Sequence, residues 1–281
     1  SDLVDIDLEK FFDRVNHDLL MGRLAKRIED RRVLKLIRGY LNAGVMVNGI
    51  VIEQGEGTPQ GGPLSPLLAN VLLDEVDKKL ETRGHAFVRY ADDLRVFVAS
   101  KKAGERCMRK LVKDFGALRL TVNNEKSAVD KAWKRPFLGF AFWVGPGKKV
   151  KLRVAPKALK KMKARVRQIT RRNAGRSLPS IIAELRRYLM GWRGYFRLAE
   201  TPRVLSNLDG WIRHRLRAIQ LKMWKRGRTV FRELVKRGMS RVGAAQVAAN
   251  ATRWWRNSAM KLNVAISNHE LERLGLPRLG P

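Results

Sequence analysis

The chain has 281 residues, 59 Lys and Arg against 26 Asp and Glu, and a net charge of +33. Hydrophobic residues make up 44 %, enough to build a core, so a wholly disordered chain is not expected. The single cysteine, Cys107, excludes an internal disulfide framework and a cysteine-based zinc cluster, and no apolar run approaches the roughly 20 residues of a membrane span. The opening SDLVDIDLEKFF is acidic and amphipathic, unlike a signal peptide, and has no initiator Met, which reads as a fragment or a processed chain. The expectation is a cytoplasmic polyanion-binding protein. Nucleic acid is the default polyanion, because Lys and Arg release counterions from phosphates.

In chain order, Leu3 to Leu8 reads as a buried strand, with Asp5 and Asp7 on one face and Val4, Ile6 and Leu8 on the other. Asp18 to Tyr40 reads as one helical stretch, with Leu20, Leu24, Ile28, Leu34 and Ile37 as its apolar positions. Val45 to Ile52 is rich in strand formers and interrupted by Asn48-Gly49, a hairpin turn signal. Gly57 to Pro66 combines glycines, which permit close backbone approach, with prolines, which fix shape. A helix from Pro66 to Leu80 follows, with Ser65 as N-cap and Pro66 in the first position. A helix-initiating loop explains Ser65-Pro66 but not Gln60. Ala86–Tyr90 and Leu94–Val98 read as strands joined by Ala91-Asp92-Asp93, and Gly104 to Leu118 as a helix. This succession of strand, helix, hairpin, helix, hairpin and helix is an α+β arrangement.

A turn-rich basic link, Trp143 to Lys149, ends this part. Beyond it the pattern is mostly helical. Leu159, Met162, Val166 and Ile169 recur at helical spacing, as do Leu185, Leu189, Trp192 and Phe196, with a break at 173–179. The expected division is 1–146, 147–262 and a tail at 263–281. Charge follows it: residues 1–140 hold 25 basic and 20 acidic residues, a net of +5, and residues 141–281 hold 34 and 6, a net of +28. The acids are concentrated where chemistry needs them, and the bases where a phosphate backbone can be gripped.

Two adjacent carboxylates in a tight turn repel unless a cation neutralises them. If the Asp5–Asp7 strand lies beside the Asp92-Asp93 hairpin, three or more carboxylates converge. That set suits two Mg²⁺ ions, which favour carboxylates plus substrate phosphate and can clamp the attacking and leaving oxygens of a phosphoryl transfer. On spacing alone, a polar turn and a solvent-facing strand explain the same residues slightly better.

Taken together, these segments resemble the reverse transcriptase of group II intron-encoded proteins, the intron maturase type. DIDLEKFFDRVNH (Asp5 to His17) is similar to that family's first catalytic strand, TPQGGPLSP (Thr58 to Pro66) to its template and nucleotide platform, and Tyr90-Ala91-Asp92-Asp93 to its catalytic hairpin. LTVNNEK (Leu120 to Lys126) resembles its lysine motif and Phe137-Leu138-Gly139-Phe140 its primer-grip hairpin. The resemblance implies a right-hand polymerase palm, an antiparallel sheet with helices, followed by an all-α basic thumb and maturase domain X. It implies Asp7, Asp92 and Asp93 as catalytic metal ligands for two Mg²⁺ ions (Mn²⁺ substituting). Asp7 is preferred to Asp5 because the family's metal-binding Asp lies five residues before an aromatic, here Phe12; Asp5 becomes a supporting acid. Phe12, Gln60 and Lys126 would contact the nucleotide, Phe12 by crowding a 2′-OH. Pro59, Gly61, Gly62, Pro63, Ser65, Tyr90, Phe137, Leu138 and Gly139 would meet template and primer. The implied partners are group II intron RNA, an RNA template with a DNA primer, and dNTPs, with no membrane.

Two departures from the family's pattern stand out. The chain begins almost on the catalytic strand, so the family's N-terminal fingers segments are expected to be missing, and no Cys- and His-containing endonuclease cluster follows. The alternative reading is therefore a non-polymerising RNA-binding maturase or chaperone.

In the basic half, candidate RNA contacts are Arg165, Arg167, Arg171, Arg172, Arg186, Arg187, Arg193, Arg213, Arg215, Arg217, Lys222, Lys225 and Arg226. Arg grips phosphate bidentately, and aromatics among such residues can stack on unpaired bases. Trp192 and Trp211 lie at apolar helical spacing and read as core. Trp254 and Trp255, being adjacent, cannot both face one core.

Overall fold

The computed structural model describes residues 2–43, 45–47, 50–52, 56–58, 62–172, 175–259 and 262–280, and divides into two compact units, Ser1–Arg135 and Pro136–Pro281.

The first unit begins with β1 (Asp2–Ile6), whose residues are all buried. Helices α1 (His17–Leu24) and α2 (Arg31–Asn42) follow where one helical stretch was expected. The break has a local cause: Asn16 caps α1 by accepting from Leu19 N, and Asp30 starts a new helix by accepting from Arg32 N at 2.8 Å. Strands β2 (Val45–Val47) and β3 (Ile50–Ile52) pair antiparallel as the hairpin reading required. Their Asn48-Gly49 turn lies outside the described residues.

Helix α3 (Ser65–Thr82) starts one residue earlier than predicted. Its N-cap is Leu64, without a side-chain hydrogen bond, so Ser65 is not the cap. It is the first helical residue, buried, with its Oγ 3.4 Å from Tyr40 Oη. Strands β4 (Phe87–Tyr90) and β5 (Asp93–Val98) form the second hairpin, and α4 (Lys101–Ala117) is capped by Ser100. Strand β6 (Ala128–Lys131) completes an antiparallel sheet of order β4-β5-β1-β6.

The core lies on the face bearing Val4, Ile6, Leu94 and Val96, against Leu68, Leu72, Leu73 and Val76 of α3 and Cys107, Leu111 and Phe115 of α4. Those α4 positions recur every four residues, so one stripe is buried. Each large apolar side chain it buries contributes about 1.5–3 kcal/mol. Gly104 is required on the same helix: a Cβ there would overlap Val129 Cγ1 of β6. The opposite sheet face carries Asp5 and Arg95, directly paired across the strands.

The second unit opens on β7 (Phe140–Val144) and β8 (Val150–Val154), an antiparallel hairpin. The glycine- and lysine-rich stretch is the tip of this hairpin, which precedes the helices, and the two compact units divide between Arg135 and Pro136. Helices α5 (Pro156–Ile169), α6 (Leu178–Tyr195) and α7 (Pro202–Met223) follow, each with proline in its first turn. They bury the predicted stripe Met162, Val166, Ile169, Leu185 and Leu189 against Leu208, Ile212, Leu216 and Ile219. Helices α8 (Gly227–Lys236), α9 (Arg241–Ala249), α10 (Trp254–Ala259) and α11 (Leu262–Ala265) form a second cluster around Leu221, Val230, Leu234 and Val247. The stretch expected as a C-terminal tail, 263–281, packs into this unit. Ile266, Leu271 of α12 (Asn268–Arg273), Leu276 and Leu279 belong to the main core of this unit. Among the described residues no helix is long and apolar enough to cross a membrane.

Candidate active site

The site of the first unit is built where β1 ends beside the β4–β5 turn. Strands β1 and β5 are neighbours, with Asp5 opposite Arg95 and Ile6 opposite Leu94. Continuing that register by one residue brings Asp7 level with Asp93. The juxtaposition that the sequence could only posit is therefore present. The β4–β5 connection is a tight two-residue turn in which Tyr90 pairs with Asp93. Ala91 takes φ +53, a value that disfavours a side chain. Arg89 holds the turn by donating to Ala91 O at 2.9 Å while its guanidinium engages Asp77 and Asn70 of α3.

Asp7 is fixed through its backbone. Its N–H donates to Ser127 Oγ at 3.0 Å, and its carbonyl accepts from Asn123 N at 2.9 Å and from Ser127 Oγ at 3.3 Å. Asn123 also accepts from the N–H groups of Glu125 and Lys126, an Asx-type turn that presents Lys126. Lys126 Nζ lies 3.6 Å from Asp7 Oδ1, with both side chains partly exposed. The lysine of the LTVNNEK segment thus sits at the acid site.

Charge is unevenly compensated here. Asp92 is held above the ordinary carboxylate range, first by burial and then by the Asp7 charge, with Lys126 opposing. Asp93 is pushed up to about 6 by burial and by the charges of Asp92 and Asp7, although Arg95 Nη1 is 2.8 Å away. Arg95 does not cancel that repulsion because it is itself buried and paired with the buried Asp5 carboxylate. Asp5 lies 3.4 Å from Arg135 as well. Asp5 is thus held between two arginines.

The three candidate ligands differ accordingly. Asp7 and Asp92 repel one another and are open to a cation, whereas Asp93 turns toward Arg95. Among the described residues no group of three or more Asp, Glu, His or Cys side chains is gathered as a ready-made metal cage. A pair of carboxylates still fits Mg²⁺, which keeps waters and takes further oxygens from substrate phosphates.

Phe12 is partly buried, edge-on to Phe11 at 5.1 Å. Its carbonyl accepts from Thr58 N at 2.6 Å, and Val15 O accepts from Gly57 N at 2.7 Å. Gly57 is obligatory at φ +96, because a Cβ would come within 2.9 Å of Asp13 O. The buried His17 ring adds a 2.6 Å bond to Gly57 O. The segment before the platform is therefore tied to the segment after the catalytic strand. Pro59, Gln60 and Gly61 lie outside the described residues. Gly62 and Pro63 lead into α3, and Tyr90 is exposed beside the turn. Sequence reading missed Arg95, Arg135, Ser127, Arg89 and the structural use of His17. For the three arginines the only signal was the abundance of basic residues near the acids; for Ser127 and His17 there was none.

In the second unit, Leu138 and Gly139 both take positive φ in a turn closed by reciprocal bonds between Phe137 and Phe140. Tyr195 Oη donates to Leu138 O at 2.9 Å, and Phe196 packs on Phe140. The predicted RNA contacts sort by burial. Arg165, Arg167, Arg171, Arg172, Arg186, Arg187, Arg193, Lys225 and Arg226 are exposed. Arg215 is half-buried and donates to Thr170 Oγ1 and O, closing the end of α5. Arg213 and Arg217 are buried and lie off the open surface: Arg213 pairs with Asp209 and Glu272, and Arg217 bonds Ile266 O and Asn268. Trp192 and Trp211 pack against the core, the latter beneath Lys163, Arg167 and Arg215. Trp254 joins the second cluster and Trp255 is exposed, resolving that adjacent pair as predicted.

Residues 2–142 match the family described as reverse transcriptase (RNA-dependent DNA polymerase), and residues 159–238 match the group II intron maturase-specific domain. Protein YkfC of Escherichia coli K12 is 30 % identical over 162 residues, covering 45 % of this chain and 42 % of that protein. The group II intron-encoded protein LtrA of Lactococcus lactis subsp. cremoris is 43 % identical over 75 residues, 27 % of this chain and 12 % of LtrA. A telomerase structure from Candida albicans, in complex with a fragment of telomeric RNA, aligns over 90 % of this chain and 49 % of its own, with 12 % identity and a TM-score of 0.45. The chain spans less than half the length of these curated relatives.

Proposed function

The chain belongs to the reverse transcriptase family and carries a group II intron maturase domain, and from that premise we propose that it copies RNA into DNA and binds the intron RNA whose splicing it assists. The observation that carries this reading is the meeting of Asp7 and Asp92 at one end of the sheet, each a partly buried carboxylate whose repulsion a divalent cation would relieve. Asp7 and Asp92 would hold Mg²⁺, which when bound supplies charge neutralisation for attack by a primer 3′-OH on a nucleotide α-phosphate. The chain's own groups do the rest. Lys126 places a positive charge beside Asp7, where a triphosphate's charge would collect. Phe12 sets the steric limit at the sugar, and the bonds from Gly57 and Thr58 hold the nucleotide platform against it. The net +28 of residues 141–281 supports an RNA grip in the second unit.

The test is primer extension on an RNA template with a DNA primer, dNTPs and Mg²⁺, with RNA binding titrated on the same preparation. Extension that is lost in Asp92→Ala while salt-dependent binding persists supports the assignment. Full extension by Asp92→Ala overturns it. Binding without extension by the wild-type chain favours the RNA-binding maturase alone, a reading that the charge distribution also supports.

A further inference from the structure

A polar cavity of about 440 Å³ lies in the second unit, between α7 and the segments of α10 to α12. It borders Arg213, His214 and Arg217 on one side and Ser258, Asn263, Asn268, Glu272 and Arg278 on the other. Most of that far wall lies beyond residue 238, where the maturase-domain match ends.

Its charge is unbalanced in a specific way. Three arginines face two acids, and both acids are already used. Asp209 accepts from the N–H groups of Leu279 and Gly280 at 3.0 and 2.9 Å, besides pairing with Arg213. Glu272 is shared by Arg278 and Arg213. One positive charge is left over. Arg213 is buried, yet its Nε–H has no hydrogen-bond partner among the described residues. A buried unpaired donor costs about 1–3 kcal/mol, a cost that an acceptor reaching it from the cavity would relieve.

An aromatic surface adjoins the cavity through His214. Trp255 packs on His214 with ring centroids 3.8 Å apart and planes tilted by 31°, and its carbonyl is 2.9 Å from His214 Nε2. The helix that carries it is pinned from beneath: Asn257 donates to Val247 O and Asn250 O, and Ser258 Oγ to Trp255 O. The indole nonetheless remains 42 % exposed. A rigid, half-open ring beside an arginine-lined cavity matches one nucleotide of a single strand: the phosphodiester carries one negative charge, and the base offers a flat face.

We propose that this cavity seats one phosphodiester of an unpaired nucleic acid strand, with its base stacked on Trp255. The site does not depend on polymerase activity. It gives the second unit a point of strand capture distinct from its exposed arginines.

The test uses the whole chain and fluorescent single-stranded oligonucleotides of one sequence, as RNA and as DNA, followed by fluorescence anisotropy. Trp255→Ala removes the stacking face. Asn263→Asp, at an exposed position, places a negative charge on the cavity wall without changing its size. Each is expected to weaken binding about tenfold with an unchanged melting temperature. The double variant should lose less than the product of the two, since both act on one nucleotide. A 5-iodouracil oligonucleotide should also cross-link at Trp255. Equal losses with RNA and DNA support a sugar-independent seat, and a loss confined to one assigns the seat to that nucleic acid. Wild-type affinity in both correctly folded variants, or two fully independent losses, would overturn the proposal.

Discussion

Replacing Arg95 with methionine removes the cross-strand partner of a buried carboxylate. The Asp5 and Arg95 side chains are each only 8 % exposed and lie directly opposite one another in the β1–β5 register. Removing one partner of such a pair typically costs roughly 3–5 kcal/mol, because the remaining charge stays buried. Arg135 remains 3.4 Å from Asp5, so the lower end, about 3 kcal/mol, is expected. At roughly 2–4 °C per kcal/mol, the transition of the first unit should fall by about 6–12 °C. Differential scanning calorimetry of the whole chain at pH 7 would measure it. The double variant Asp5→Leu/Arg95→Met should recover most of the loss, since two apolar side chains of similar reach replace both charges. A single variant melting within about 2 °C of wild type, or a double variant less stable than the single, would refute the view that this pair holds the acidic face of the sheet.

Gly57→Ala forces a side chain into φ +96 and toward Asp13 O, so stability should drop by at least about 1–2 kcal/mol. The Michaelis constant for dNTPs should rise as Thr58 moves away from Phe12; steady-state kinetics and a melt together check both. Gly104→Ala should cost about 1–3 kcal/mol by overpacking α4 on Val129, and Val129→Ala should restore much of it in a double-mutant cycle read by urea unfolding. Glu75 is held down at about 2 by Lys79 and Arg23, well below its ordinary value of 4.5. A depressed carboxylate stabilises the fold above its unfolded pKa and loses that stabilisation as pH falls through the folded one. Glu75→Gln should therefore destabilise at pH 7 by about 1 kcal/mol, discounted because the side chain is more than a third exposed. The gap from wild type should close between pH 4.5 and 2 in pH-resolved melts.

The sequence determined the parts whose signals are local. Period-two alternation placed Asp5 and Asp7 on the polar side of a strand, and the Tyr90 to Asp93 run between two apolar stretches could only be a hairpin. The four- and three-residue spacing of Met162, Val166 and Ile169 required a helix with a buried stripe. The order of the motifs was enough to identify the family, since each is a short stretch of fixed spacing. Tertiary structure decided everything that depends on partners distant in the chain. Arg95 is an unremarked residue of a strand until β1 brings Asp5 across from it, and Ser127 is an ordinary serine until its Oγ meets Asp7. Arg213 and Arg217 read as surface cations because composition cannot see burial. Their burial depends on Glu272, Ile266 and Asn268 arriving from the end of the chain. The Trp143 to Lys149 run shows the same limit: glycine, proline and lysine announce a turn, but whether it links two units or caps a hairpin depends on Val144 pairing with Val150.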